Sequence, residues 1–263
     1  MEAQDYLREF YEVHCDEDVR LRGRCGMVEF LTTMRYIERY LKQGDKVLEI
    51  GAGTGRYSHA LVQRGYTVDA VELLEHNIEG FRRNTLPGEP VTVRQGNALD
   101  LSGFGDNTYD LTLLLGPMYH LFTVDDQRKA LSEAIRVTRP GGVVFAAYCG
   151  SDATAVQYCF IRGMFKEPHY RALADPVTFK LSSDPAEVFS LHRREDIDGL
   201  MDGLPVERLH FVGTDMATGY MRDTIDQMDD ELYGLYLQYH FAICERPDLV
   251  GASNHFLDIF QKQ

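Results

Sequence analysis

Hydrophobic positions change period several times along the chain, and each change marks an element. Val47, Leu48 and Ile50 form an apolar run without polar alternation, as a strand buried on both faces requires. From Arg56 to Arg64 the spacing becomes helical, with Tyr57, Ala60, Leu61 and Arg64 about one turn apart. Tyr66–Glu72 predicts a second strand and Leu73–Arg83 a helix, followed by strands at Val91–Arg94 and Tyr109–Leu115. The helix Gln127–Arg139 buries Ala130, Ile135 and Val137, is capped by Asp125 or Asp126, and ends at Arg139-Pro-Gly-Gly142. Val143–Tyr148 is a fifth strand, Arg194–Met201 a helix and Glu207–Gly213 a sixth strand. A helical stretch, Tyr220–Glu245, precedes the alternating strand Asn254–Phe260. Strands alternating with helices predict a doubly wound α/β fold around a mostly parallel sheet.

Two segments fit this rhythm poorly. Residues 1–43 carry helical spacing at Tyr6–Val13 and Val28–Leu41, the second with the stripe Phe30, Met34, Ile37 and Leu41. In residues 151–190, Val156, Phe160, Met164 and Phe165 suggest one amphipathic helix. Pro168, Pro176 and Pro185 interrupt the remainder of that segment, and Glu187–Leu191 reads as a short strand.

Charge and cysteine usage narrow the function classes. With 263 residues and a formal charge of -14, the chain argues against an electrostatic grip on nucleic acid or an anionic membrane. Arg20, Arg22 and Arg24 with His14 form one local basic patch. No apolar run is long enough for a membrane span, and the N-terminus lacks a secretory signal. The five cysteines (Cys15, Cys25, Cys149, Cys159, Cys244) make no C-x-x-C pair, so free thiols in a reducing cytoplasm are expected. His59, His169, His192 and His240 lack metal-ligand spacing, and no metal is predicted.

The chemistry concentrates in Glu49-Ile-Gly-Ala-Gly-Thr-Gly55. A strand, a turn with Gly51, Gly53 and Gly55, and a helix N-terminus put backbone N–H groups where a ligand can approach closely. A dinucleotide fingerprint would read G-x-G-x-x-G, and its third glycine is Arg56 here. A P-loop would need a Lys-Ser or Lys-Thr pair that is absent. Glu72 ends the second strand roughly 20 residues on, where a nucleotide-binding βαβ unit places its ribose-binding acid.

The segment Glu49–Gly55, with Glu72 and the "RPGG" turn, resembles the class I S-adenosylmethionine (SAM)-dependent methyltransferases over Gly44–Gly150, and more weakly over Leu191–Gln263. The resemblance implies a Rossmann-like, mostly parallel seven-stranded sheet with an antiparallel last strand. It implies a SAM-binding core at 44–150, an N-terminal helical lid at 1–43, a substrate-side insertion at 151–190, and the rest of the same domain at 191–263. The cofactor residues it implies are Glu49, Gly51, Ala52, Gly53 and Gly55, then Glu72 and Leu73, and Leu115. Asn97 and Ala98 stand where the family carries an Asp and its neighbour against adenine; Asn can donate and accept. The product would be S-adenosylhomocysteine (SAH).

Gly116-Pro-Met-Tyr-His120 follows the fourth strand, whose carboxyl end should border the transferred methyl. His120 is the first candidate for a general base, because histidine titrates near neutrality; a backbone hydrogen bond that holds the loop is its alternative role. Tyr119 orients the acceptor, packs against the sulfonium, or is simply packed. From the lid, Tyr11, His14, Arg22 and Arg24 are candidates to face the acceptor, or a solvated charged loop. The expected function is methyl transfer to an O or N atom of a small molecule. Its alternatives are a protein that binds SAM or SAH without turnover and an NAD-dependent oxidoreductase. There is no base-flipping motif or basic stripe for RNA. The acceptor and the oligomeric state stay open.

Overall fold

The computed structural model describes residues 3–15, 19 and 21–263. Eight strands among them form one sheet: β1 (Lys46–Ile50), β2 (Thr67–Glu72), β3 (Val91–Gln95), β4 (Tyr109–Leu114), β5 (Thr138–Gly150), β6 (Leu191–His192), β7 (Val206–Gly213) and β8 (His255–Lys262). Seven lie in the order β3-β2-β1-β4-β5-β8-β7, and the two-residue β6 pairs with β5. β3 to β5 run parallel, while β8 is antiparallel to both β5 and β7. The expected seven strands are present, with β6 added.

Strand pleating feeds two cores, one on each face of the sheet. Val47, Leu111 and Leu113 join Met34, Ile37 and Leu61. Leu48, Ile50 and Leu114 join Ala130, Leu131 and Ile197. The helices Arg24–Tyr40 and Arg56–Val62 therefore cover one face, and Val124–Val137 and Arg194–Met201 the other. Each fully buried leucine or isoleucine contributes about 2 kcal/mol, so the stripe Met34–Ile37 suffices to seat its helix.

Several boundaries differ from the sequence reading for identifiable reasons. The cap of Val124–Val137 is Thr123, whose Oγ1 accepts from Asp126 N at 3.1 Å; neither Asp125 nor Asp126 takes that place. The expected helix 220–245 is broken, because Asp229 accepts from Leu232 N at 2.8 Å and starts a new helix, Asp230–Ile243. In the insertion, wide π-type turns at Ala155–Ile161 bury Ala155, Gln157 and Cys159. They leave Val156 41% and Phe160 59% exposed, so the expected apolar stripe does not face the core. The expected strand 187–191 shrinks to Leu191–His192. Among the described residues no helix is long and apolar enough to cross a membrane.

Candidate active site

The strand order reverses between β1 and β4, and ligands of open α/β sheets sit above such a switch point. Here the loops after the two strands press together. A Cβ on Gly51, whose φ is +75°, would lie 2.5 Å from Pro117 Cδ, and one on Gly116 would lie 3.1 Å from Gly51 O. Only glycine fits at Gly51, and a side chain at Gly116 would be crowded by the Gly51 carbonyl. Gly51 N and Ala52 N are tied to Val71 O at 2.8 and 3.1 Å, which fixes the turn to the neighbouring strand.

Two carboxylates lie beneath and beside this loop. Glu72, buried at the end of β2, accepts from Gly53 N at 2.8 Å, Leu74 N at 3.0 Å and Asn77 Nδ2 at 3.3 Å. Burial pushes its pKa up, against the pull of those donors. Glu49, in β1, is bonded by the Ser58 hydroxyl and is 2% exposed. Desolvation raises its pKa to about 8, opposed by Ser58 and reinforced by the Glu72 charge. A glycine-lined crevice with two crowded carboxylates suits a ligand that carries positive charge and hydroxyls.

The remaining expected cofactor residues are distributed around the same crevice. Ala52 packs with Ala70 and Phe81, and Leu73 offers its carbonyl to Gln95 Nε2 at 3.1 Å. Asn97 follows β3, but its Oδ1 accepts from Leu99 N at 2.9 Å and caps its own turn. Ala98 is buried beside it, and Leu115 packs on the core at the end of β4. Arg56 points away from the loop, its guanidinium 4.5 Å from the Phe30 ring.

Across the crevice, His120 joins three segments. Its Nδ1 donates to Val188 O at 2.9 Å, which leaves Nε2 to accept from the Tyr11 hydroxyl at 3.0 Å. Desolvation lowers the ring's pKa to about 4, so it is neutral at physiological pH. Val188 sits at φ +71°, a conformation β-branched residues avoid. Ser190 N, donating to Tyr119 O at 2.6 Å, helps hold that segment in place. Phe189 stacks against both His120 and Phe10, with centroids 5.5 Å apart in each case.

The N-terminal candidates thus separate. Tyr11 is brought to His120, but His14 is exposed. Arg24 is committed elsewhere: it donates to Asp230 Oδ1 at 2.6 Å and lies over the Tyr233 ring. Carboxylate and ring together hold it on the Asp230–Ile243 helix, so neither residue joins the His120 group. Arg22 is exposed, and Arg20 lies outside the described residues.

Sequence reasoning missed a group beside Tyr119. Glu29, Asp215 and His255 each place one ligand-capable atom within 4.8 Å of the others. His255 Nδ1 lies 2.8 Å from Asp215 Oδ2 and 3.5 Å from Glu29 Oε2, and its ring centroid is 5.8 Å from that of Tyr119. Burial alone would discharge the imidazole, but Glu29 and Asp215 outweigh it and raise its pKa well above the usual value. The 2.8 Å separation is a hydrogen bond, so the three form an ion triad. Asp215 follows β7 and His255 opens β8, both at the sheet's ligand edge, and that position was the one signal available in the sequence.

Fold and crevice define a doubly wound α/β protein with a ligand site at the β1/β4 switch. Residues 47–142 match the model of a methyltransferase domain family. A demethylmenaquinone methyltransferase from Clavibacter sepedonicus is 34% identical over 99 residues, 38% of this chain and 39% of that protein. A ubiquinone biosynthesis O-methyltransferase from Pseudomonas fluorescens is 27% identical over 195 residues, 72% of this chain and 81% of that one. The CcbJ methyltransferase structure from Streptomyces caelestis shares the fold at 14% identity, with a TM-score of 0.63 over 100% of this chain and 99% of that one. Residues 47–142 thus carry a methyltransferase domain, and the chain is similar to the class I SAM-dependent methyltransferases, a likeness that implies use of SAM. The match to the Clavibacter relative spans well under two thirds of that protein's length.

Proposed function

We propose that this protein transfers a methyl group from SAM to an oxygen or nitrogen of a small-molecule acceptor. The observation that carries the reading is the Glu72 carboxylate bonded to Gly53 N inside the crevice closed by Gly51 and Pro117. Relatives named for demethylmenaquinone methylation and for O-methylation in ubiquinone biosynthesis favour a small acceptor. SAM, when bound, supplies an electrophilic methyl on a sulfonium. Gly51, Ala52, Gly53 and Gly55 would line its amino-acid end, Glu49 would offset its positive charge, and Glu72 would accept from the ribose hydroxyls. Asn97 would present its amide N–H to the base, with Leu73, Ala98 and Leu115 as apolar walls.

The chain's own contribution is positioning and the handling of one proton. Val188 fixes the His120 tautomer, so Nε2 offers a lone pair toward the crevice. An acceptor hydroxyl or ammonium that displaces Tyr11 would meet that lone pair and lose its proton to it. Tyr11, Phe10 and Phe189 exclude water from this point.

Calorimetric titration with SAM and, separately, NAD tests the cofactor. Saturable heat with SAM and none with NAD is expected; silence with SAM from folded protein rejects the reading, and heat with NAD alone favours an oxidoreductase. Once an acceptor is in hand, His120→Gln should lower kcat by about 100-fold and leave SAM affinity unchanged. An unaltered kcat would remove His120 from the proton path.

A further inference from the structure

Two histidines flank Tyr119, and their surroundings differ in kind. His120 meets a carbonyl, a hydroxyl and aromatic rings. His255 meets two carboxylates on one edge of its ring. The elements that carry the second group all reach the ligand edge of the sheet. Cys149, next to the end of β5, stands opposite His255 in the ladder; β7 ends just before Asp215; the helix Arg24–Tyr40 brings Glu29 over both. In the strand order, this places His255 on the β4–β5–β8 side of the crevice. Glu72 and Asn97 mark the other side, above β2 and β3. The side occupied by His255 is the one a cofactor held by Glu72 leaves to an acceptor.

The charge of Asp215 is turned inward. Asp215 Oδ1 accepts from Ser253 Oγ at 2.7 Å, Asn254 N at 2.9 Å and His255 N at 3.1 Å, and Oδ2 accepts from His255 Nδ1. Asp215 therefore has little left to offer a ligand. The other ring nitrogen of His255 lies 3.5 Å from the Asn254 amide, and the Cys149 side chain also hydrogen-bonds the ring. Although set deep in the fold, the His255 side chain keeps 18% of its surface accessible, and Glu29 and Asp215 keep 10% each. The His255 side chain is therefore only partly covered by the fold. Environments that separate two like groups in this way assign one as proton acceptor and the other as donor.

We propose that His255, held between Asp215 and Glu29 at the start of β8, is an acceptor-binding residue, and that the acceptor carries an anionic oxygen: a carboxylate, enolate or phenolate. The inference rests on the methyltransferase reading and narrows its substrate class. Tyr119, edge-on to His120 and tilted against His255, would supply an aromatic wall for a planar acceptor whose oxygen meets His255. A charge-assisted bond from imidazolium to oxyanion is stronger than a neutral one, and its loss reads as a weakening of at least tenfold.

Full-length protein with isotope-labelled histidine, saturated with SAH, is titrated with salicylate and in parallel with benzylamine. The ring signals of His255 are followed by NMR. Salicylate is expected to move the His255 signals saturably, benzylamine to leave them still, and His255→Gln to weaken salicylate at least tenfold. Should that variant fail to fold, Glu29→Gln is used, and it should lower the ring's titration point and weaken salicylate together. Benzylamine moving the ring, or salicylate leaving it unmoved up to its solubility limit, overturns the proposal. So does a shift produced by SAH alone with none added by salicylate, since the ring would then belong to the cofactor's own carboxylate. The heat of SAH binding is measured first on the same sample, and its absence counts against the cofactor reading, separately from the acceptor test.

Discussion

Replacing Glu49 by glutamine is expected to stabilise the ligand-free protein while weakening SAM. In the folded chain the Glu49 carboxyl titrates at about 8, against 4.5 for an ordinary glutamate. Between those values the unfolded chain is ionised and the folded chain holds a proton. Stability attributable to this group is complete below about pH 4.5 and is lost as pH rises toward 8. At pH 8 the accumulated cost is on the order of 4 kcal/mol. Glutamine offers the same donor and acceptor set as the protonated acid, keeps the Ser58 hydroxyl satisfied, and never ionises. The variant should therefore melt roughly 10 °C above wild type at pH 8, with the gap closing toward pH 5. SAM affinity should fall about 30-fold, because the cation loses its buried counter-charge. Melting curves across pH with and without SAM test this; coincident curves for both proteins would show that the carboxyl is ionised in the fold. In wild type, SAM binding should release a proton near neutral pH, which registers as a dependence of binding heat on buffer.

Glu72→Ala carries the second large effect, of opposite sign on stability. Its carboxylate satisfies Gly53 N, Leu74 N and Asn77 Nδ2 at the rim of the crevice. Removing it releases Gly53 N, while Gly51 N and Ala52 N stay tied to Val71 O, and leaves buried donors unpaired, at about 2–3 kcal/mol. The ribose acceptor disappears with it, so SAM affinity should fall at least about 100-fold. Denaturant unfolding and calorimetry separate the two losses. A variant that unfolds earlier yet binds SAM normally would make Glu72 a loop anchor only.

These residues show how far the chain alone could be read. Glu49, the three glycines and Glu72 lie within one strand–turn–helix–strand unit, where local spacing determines proximity. The strands β1, β2, β4 and β5 were legible because each is buried largely on both faces, so its apolar run cannot be mistaken for an amphipathic helix; the edge strand β3 is half exposed and showed instead as the alternation Val91-Thr-Val93. Arg24 and His14 show the limit of that reasoning. Both precede the motif in a polar segment, and neither spacing nor residue type reveals that Asp230, 206 residues away, takes up the arginine.

The insertion failed for a different physical reason. Its apolar residues at 156 and 160 have helical spacing, but the wide turns at Ala155–Ile161 rotate them outward, so periodicity assigned the wrong face.

From the sequence by itself came the mostly parallel sheet and the glycine turn beside Glu72, because those depend on contacts within a few dozen residues and on glycine's unique sterics. Only the tertiary structure decided what surrounds His120 and His255. His120 is neutral because burial desolvates its ring, against the pull of the Val188 carbonyl, and His255 is held charged because Glu29 and Asp215 lie beside it. The protonation state of a buried group is determined by what surrounds it in space, and no local pattern of residues contains that.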